Sequence, residues 1–160
     1  PLQQSDFEQL YAVASDPLIW EQHPNKNRYQ REAFQNYFEG AMLSKGAFLI
    51  LDKATGETAG CSRFYDYNEM ESSVFIGYTF FGRKFWGKGF NQAAKQLMLD
   101  YAFQFTDTVK FHIGAQNIRS QIAIERIGAV KIKEVIVAYH GEPDRNNFEY
   151  ELKKKDWFNK

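Results

Sequence analysis

The sequence predicts an α/β fold of the mixed, α+β kind: a mostly antiparallel sheet with one central parallel pair, flanked by helices, over residues 1–160 as one unit. Three observations carry that expectation. Apolar residues recur first at helical spacing, then as a strand meander, then as helix, strand, helix and hairpin. The strand–helix–strand step over residues 73–115 calls for a right-handed crossover joining parallel strands. Finally, no internal repeat, low-complexity tract or linker divides the chain.

The first helix is expected over residues 5–15. Ser5-Asp6-Phe7-Glu8 matches a capping box, and Phe7, Leu10, Tyr11 and Ala14 follow at helical spacing. Asp16-Pro17 ends it, and Leu18 to Arg28 reads as a loop bearing aromatics. A second helix from Tyr29 to Ser44 gathers Ala33, Phe34, Tyr37, Phe38 and Met42 on one face, with Gly46 at its C-terminal exit. Ala47 to Asp52, Thr58 to Tyr67 and Ser73 to Phe81 are strands, the first two joined by the hairpin connection Lys53 to Glu57. A third helix, Lys88 to Phe105, turns Phe90, Ala94, Leu97, Met98, Tyr101 and Phe105 inward. Val109 to Ala115 returns as a strand. Asn117 opens a short helix that Gly128 closes, and a hairpin of Ala129 to Tyr139 with Asn146 to Lys154 ends the chain.

Composition narrows the function. Charged residues make up 25% of the chain and the formal net charge is +0, so neither nucleic acid nor an anionic membrane is an expected partner. The lysines at 153–155 read as a solvated terminus. The single cysteine, Cys61, falls in a strand, where it reads as a small buried hydrophobe. It rules out an internal disulfide framework, and no metal site is expected. No apolar run is long enough to span a membrane and no signal peptide leads the chain, so the expected location is cytoplasmic. Because the first residue is Pro1, an upstream segment could have been removed.

The stretch with most chemical content is Phe81-Gly82-Arg83-Lys84-Phe85-Trp86-Gly87-Lys88-Gly89-Phe90-Asn91. A glycine loop entering a helix N-terminus leaves backbone N–H groups free at the positive end of the helix dipole, a site suited to phosphate. Gly87 and Gly89 permit close approach, and Arg83, Lys84 and Lys88 add positive potential. Two familiar phosphate motifs fail here. The Walker A spacing from Gly82 breaks at Gly89, where magnesium binding requires Ser or Thr, and the dinucleotide fingerprint breaks at Gln92.

Lys84-Phe85-Trp86-Gly87-Lys88-Gly89 resembles the acetyl-coenzyme A loop of the GNAT N-acetyltransferases, Arg/Gln-x-x-Gly-x-Gly/Ala, with Lys84 in the first place. The aromatic-Trp-Gly-Lys-Gly-aromatic form is most similar to the branch related to ribosomal-protein N-terminal acetyltransferases. Asn117-Ile118-Arg119-Ser120 with Ile127-Gly128-Ala129 resembles that branch's second signature, and Ile19 to Pro24 its early segment. The resemblance implies acetyl-coenzyme A as cofactor, with Thr79, Phe80 and Phe81 pairing with the pantetheine arm. Amides from Lys84 to Gly89 would hold the pyrophosphate without metal, and the sheet would splay between the strands 73–81 and 109–115. It also implies that the family's usual first strand is missing or reduced.

The implied reaction passes an acetyl group to a primary amine: a protein N-terminus, a peptide, or a small molecule such as a polyamine, amino sugar or antibiotic. Amides near Tyr78 to Phe80 would face the developing oxyanion. Ser120 is the candidate proton donor to the thiolate, and Asn117 a candidate coenzyme contact that is equally suited to capping its helix. Relatives often place a glutamate base where this chain has Phe75 and a tyrosine acid where it has Ile124, which leaves the base unassigned. Trp20, His23 and His112 are candidate acceptor contacts; His112 is also attractive as the base, since an imidazole is the side chain whose ordinary charge change falls near neutral pH, and it could equally be a core histidine. A non-catalytic acyl-coenzyme A sensor, or an interaction module using exposed Trp20, Trp86 and Trp157, are the alternatives. A homodimer is compatible with the aromatic content.

Overall fold

The computed structural model describes residues 1–160. At the start of the chain the Gln3 backbone N–H donates to the Asp6 carboxylate at 2.8 Å, and a short 3-10 turn leads into α1 (Phe7–Ala14). The acid that caps is therefore Asp6, not Glu8, whose carboxylate is drawn away to Arg31 at the start of α2 (Arg31–Ser44). Lys45 takes the left-handed conformation expected of Gly46, with φ 55°. Gly46 is required for a different reason: a Cβ there would run into the Phe64 carbonyl, in the strand whose Phe64 N–H bonds back to the Gly46 oxygen at 2.8 Å.

Three antiparallel strands follow, β1 (Ala47–Leu51), β2 (Thr58–Asn68) and β3 (Ser73–Phe81). Ahead of β1, Leu2 donates its backbone N–H to Ala47 at 2.9 Å and buries its side chain in the α1/α2 core. Helix α3 (Phe90–Ala102) crosses to β4 (Thr108–Gly114), parallel to β3. After α4 (Ile118–Arg126), β5 (Val130–Val137) and β6 (Arg145–Lys153) form the closing hairpin, and α5 (Lys154–Phe158) ends the chain. The order across the sheet is β1-β2-β3-β4-β6-β5, so β6 slots between β4 and its own hairpin partner. No helix is long and apolar enough to cross a membrane.

Two irregularities in β3 shape the molecule. It pairs with β4 only through Ser73–Thr108, Val74–Val109 and Phe75–Lys110; beyond Phe75 the two strands part, which opens the sheet. Just past that point Tyr78 holds a left-handed φ of 55°, and the register with β2 slips between Arg63–Gly77 and Cys61–Phe80. This bulge reverses the alternation of side chains. Val74 and Ile76 pack with Leu99 and Phe103 on the α3 side, whereas Phe80 packs with Trp20, Phe34 and Tyr37 on the α1/α2 side. Thr79 is thereby turned toward α3.

The buried stripe of α3 is Lys95, Leu99 and Ala102, with Phe90, Ala94 and Met98 partly covered. Leu97, Tyr101 and Phe105, expected inward, are exposed. The inward face includes a lysine, which hydropathy alone assigns to the outside. Burial, with only the Thr79 hydroxyl as partner at 2.8 Å, lowers the Lys95 ammonium from 10.5 to about 8. The unfolded chain keeps the higher value, so between these two pH values it binds more protons than the native state, and stability rises with pH across that window. Below about 8 the penalty is constant. Lys95→Met should raise stability at pH 7 by on the order of 1–3 kcal/mol and flatten the alkaline rise. Urea titrations at pH 7 and at pH 10 check both effects.

Gly60 lies opposite Phe81, and a Cβ there would strike the Phe80 carbonyl, with the Phe80 carbon at 3.0 Å and the Phe81 Cα at 3.1 Å. These are backbone atoms of the interior strand pair and cannot swing away. Gly60→Ala should therefore cost about 3 kcal/mol, at the upper end for a single added methyl, measurable as a lowered urea midpoint.

Candidate active site

The loop between β3 and α3 is held in shape by its glycines. Gly87 and Gly89 have φ of 70° and 83°, and a Cβ on either would meet nothing within 4 Å. Gly89 stands immediately before α3, and the first helical bond runs from Ala93 N–H to Gly89, which leaves the N–H groups of Phe90, Asn91 and Gln92 ahead of it. Local charge is smaller than the sequence implies. Arg83 is paired with Asp16 after α1, and Lys84 with Glu57 before β2, so Lys88 alone of the three cations has no carboxylate partner. What remains of the loop's positive character comes from Lys88, the helix end and the open glycine backbone.

The N-terminus of α4 faces this loop. The Arg119 guanidinium lies 4.1 Å from the centroid of the Trp86 ring, joining α4 to the loop. The Arg119 backbone N–H donates to Gln22 at 3.2 Å, which ties in the segment after Trp20. Asn117 caps α4, its side-chain oxygen accepting the Ser120 N–H at 3.3 Å. The Ser120 hydroxyl has no partner within the protein and is half-buried. On β3 the Trp86 indole N–H donates to the Phe81 carbonyl at 3.0 Å, so Thr79 and Phe80 are the part of the strand edge left beside the opening.

On the α2 side of the sheet, beneath the surface, lies a cluster of aromatics. Trp20, Tyr37, Tyr78 and Tyr139 surround the buried Arg28 guanidinium at 5.2–5.7 Å. Arg28 also grips Glu142, from the loop between β5 and β6, with bonds of 2.8 and 3.0 Å. His23 sits edge-on to Trp20; its Nδ1 accepts the Asn25 N–H at 3.0 Å. Burial and then the Arg28 charge hold its pKa well below the usual imidazole value, so it is neutral. Burial raises the phenols of Tyr65 and Tyr78, and that of Tyr139 to about 12. Arg63 stacks 3.7 Å above Tyr78; it donates to the Tyr37 carbonyl, and its Nε has no partner.

His112 lies on this same side, on β4, its ring 4.5 Å from that of Phe75 and its Nε2 2.8 Å from Glu149 of β6. Phe75, which occupies the place of an expected glutamate, stacks between Tyr65 and His112, and Ile124 is buried in the α3-side core. The structure thus gathers the glycine loop, Thr79 and Phe80, and the α4 residues Asn117 and Ser120 around one opening. Trp20, His23 and His112 lie on its α2 side. Trp20 is fully buried, and Trp86 and Trp157 are partly so, which removes the exposed tryptophan surface an interaction module would need. Cys61 is buried as expected, and burial raises its thiol pKa. Arg28, Glu142 and Glu149 carry no signal in the sequence, because each acquires its meaning from a partner far along the chain.

Residues 1–130 match the family model of the acetyltransferase (GNAT) domain. The chain belongs to that family. Among solved structures, a protein of T. thermophilus described as a candidate acetyltransferase is 25% identical, with a TM-score of 0.79 over 99% of this chain and 86% of that one. An acetyltransferase of the GNAT family from Bacillus anthracis is 21% identical, with a TM-score of 0.75 over 96% and 92% of the two chains. Spermidine N-acetyltransferase from Vibrio cholerae, solved with CoA and spermine, shares the fold at 13% identity, with a TM-score of 0.73 over 98% and 95%. No curated protein sequence matches the chain. The findings support the GNAT family as a whole and do not single out the ribosomal-protein branch.

Proposed function

We propose that the protein is an acetyl-coenzyme A-dependent N-acetyltransferase acting on a primary amine. The observation that carries this reading is the Cβ-free cradle of Gly87 and Gly89 at the start of α3, next to the opening where β3 and β4 part. The residues fit the coenzyme: a bare backbone and unbonded helix amides suit a pyrophosphate, and the free edge of β3 suits an amide-bearing arm. Bound there, the coenzyme supplies an acetyl thioester. Amides from Lys84 to Gly89 hold its phosphates, with Arg83, Phe85, Trp86 and Lys88 shaping the loop and Gly82, Phe90 and Asn91 flanking it. Thr79 and Phe80 pair with the arm, and Phe81 anchors the strand end. Amides near the Tyr78 bulge stabilise the oxyanion, a contribution of about 3–4 kcal/mol. The Ser120 hydroxyl gives a proton to the leaving sulfur, while Asn117 holds the turn that presents it.

The acceptor enters on the aromatic side, past His23; Trp20, expected as an acceptor contact, is buried in the α1/α2 core and only backs the His23 ring. Arg63 carries no carboxylate partner there, and Arg28 carries one, which disfavours a polycation such as spermidine. An uncharged-tail amine or a peptide N-terminus suits the site better. Calorimetric titration with acetyl-coenzyme A, without magnesium and with ATP as comparator, tests the cofactor. An acceptor panel of spermidine, glucosamine, 2-phenylethylamine and an alanyl tripeptide tests the transfer. Saturable binding with turnover supports the reading. Binding without any turnover would favour an acyl-coenzyme A sensor, and no binding would overturn the assignment of the loop.

A further inference from the structure

The reaction needs a group that removes a proton from the attacking amine, and the place of the expected carboxylate is filled by Phe75. We propose that His112, held by Glu149, is that base. The inference rests on the transfer reading above. The last bonded step between β3 and β4 is Phe75–Lys110, so His112 is the first residue of β4 on the α2-side face beyond the point where the strands part. Across the gap stand Gly77 and then the Tyr78 bulge, the segment assigned to the oxyanion; one residue along a strand is roughly 3 Å. The acceptor side and the proposed acetyl position therefore meet at His112.

The ring is equipped for the task. Glu149 lies directly opposite on β6, its Oε2 2.8 Å from Nε2, and it is buried. An ionised carboxylate accepts only, so it selects the tautomer with the proton on Nε2 and leaves a lone pair on Nδ1. Nδ1 has no hydrogen-bond partner in the protein and is not one of its buried unpartnered atoms, so solvent reaches it. Phe75 packs on the ring and fixes its plane. The charged groups around it come from every neighbouring element: Lys110 on β4, Glu151 on β6, Lys133 on β5 with its ammonium 3.9 Å from Glu149, and Glu71 in the β2–β3 turn, bonded to Lys110. The phenols of Tyr65 and Tyr78 complete the β2 and β3 side.

In the step, one proton of the acceptor ammonium passes to Nδ1, and its bonding pair stays on nitrogen. That pair forms the C–N bond to the acetyl carbon as the C–S bond breaks with its electrons on sulfur, and the second proton of the nitrogen passes by way of the Ser120 hydroxyl to that sulfur, so that a neutral amide and a thiol result. The imidazolium is stabilised by Glu149 until the proton returns to solvent.

The test uses His112→Gln and Glu149→Gln in the full chain. Acetyl-coenzyme A affinity should stay within about threefold of wild type in both, since neither residue lies on the coenzyme loop. In transfer to the four panel amines, His112→Gln should lose about 100-fold or more in kcat/KM, the usual scale for general base catalysis, and the acid limb of its pH profile should vanish. Glu149→Gln should lower kcat/KM in the same direction but by less, because a neutral amide supports the imidazolium less well than a carboxylate. Apart from turnover, nitrogen-15 imidazole shifts of the free protein should report the Nε2–H tautomer in wild type and a mixed population in Glu149→Gln. A purely structural pair would lower the unfolding midpoint and leave both the pH limb and the kcat/KM of His112→Gln near wild type, and that result would overturn the proposal. If instead wild type fails to bind acetyl-coenzyme A, the transfer reading itself falls.

Discussion

Gly89→Glu should leave the protein folded and reduce its affinity for acetyl-coenzyme A by at least about 100-fold, which corresponds to roughly 2.8 kcal/mol at about 1.4 kcal/mol per tenfold. The two halves of that outcome have separate causes. The fold survives because a side chain at Gly89 meets no atom within 4 Å, and the left-handed φ of 83° costs a non-glycine residue only about 1–2 kcal/mol. A carboxylate before the first turn of α3 even recovers part of that by interacting with the helix dipole. Binding is lost for the same reason: the glutamate satisfies the very amides a pyrophosphate would use and adds repulsion against it. Gly89→Ala separates the effects, since it introduces the strain without the charge, and it should cost less than about tenfold. Calorimetry on both variants, with unfolding midpoints measured alongside, checks the pair. Wild-type affinity in Gly89→Glu would remove the phosphate from this loop.

The loop was legible from sequence because its function is local. Two glycines with positive φ, a strand before and a helix after, are all encoded within a short run of consecutive residues. Its charge was not legible, because whether Arg83 and Lys84 remain free depends on Asp16 and Glu57, which only the fold brings near. The same holds for α3. Its helical period was plain, yet the buried stripe runs through Lys95, because the β3 bulge places the Thr79 hydroxyl under that helix. The partner of His112 was hidden for a topological reason. The hairpin of β5 and β6 is readable from its turn, but nothing in the residues states that β6 and not β5 lies against β4. With β5 in that place Glu149 would be distant and His112 would be an ordinary strand residue.

The Arg28–Glu142 pair is the strongest example of such long-range dependence, joining residues 114 positions apart, and it gives the second large effect. Both side chains are nearly inaccessible, at 2% and 6% exposure. Glu142→Ala removes both bonds from a guanidinium that solvent cannot reach, leaving it the four aromatic faces and the His23 contact. Breaking a buried pair from one side typically costs about 3–5 kcal/mol. The aromatic faces offset part of this, so we expect about 3 kcal/mol by urea titration. Arg28→Met with Glu142→Leu should recover most of the loss, because what destabilises is the orphaned charge and not the absence of the pair. Function should respond on one side only. Glu142 sits in the loop that closes over the aromatic face, away from Gly87 and Gly89, so Glu142→Ala should raise the KM for the amine severalfold and leave the Kd for acetyl-coenzyme A unchanged. A change confined to acetyl-coenzyme A would mean that the aromatic face is not where the acceptor binds.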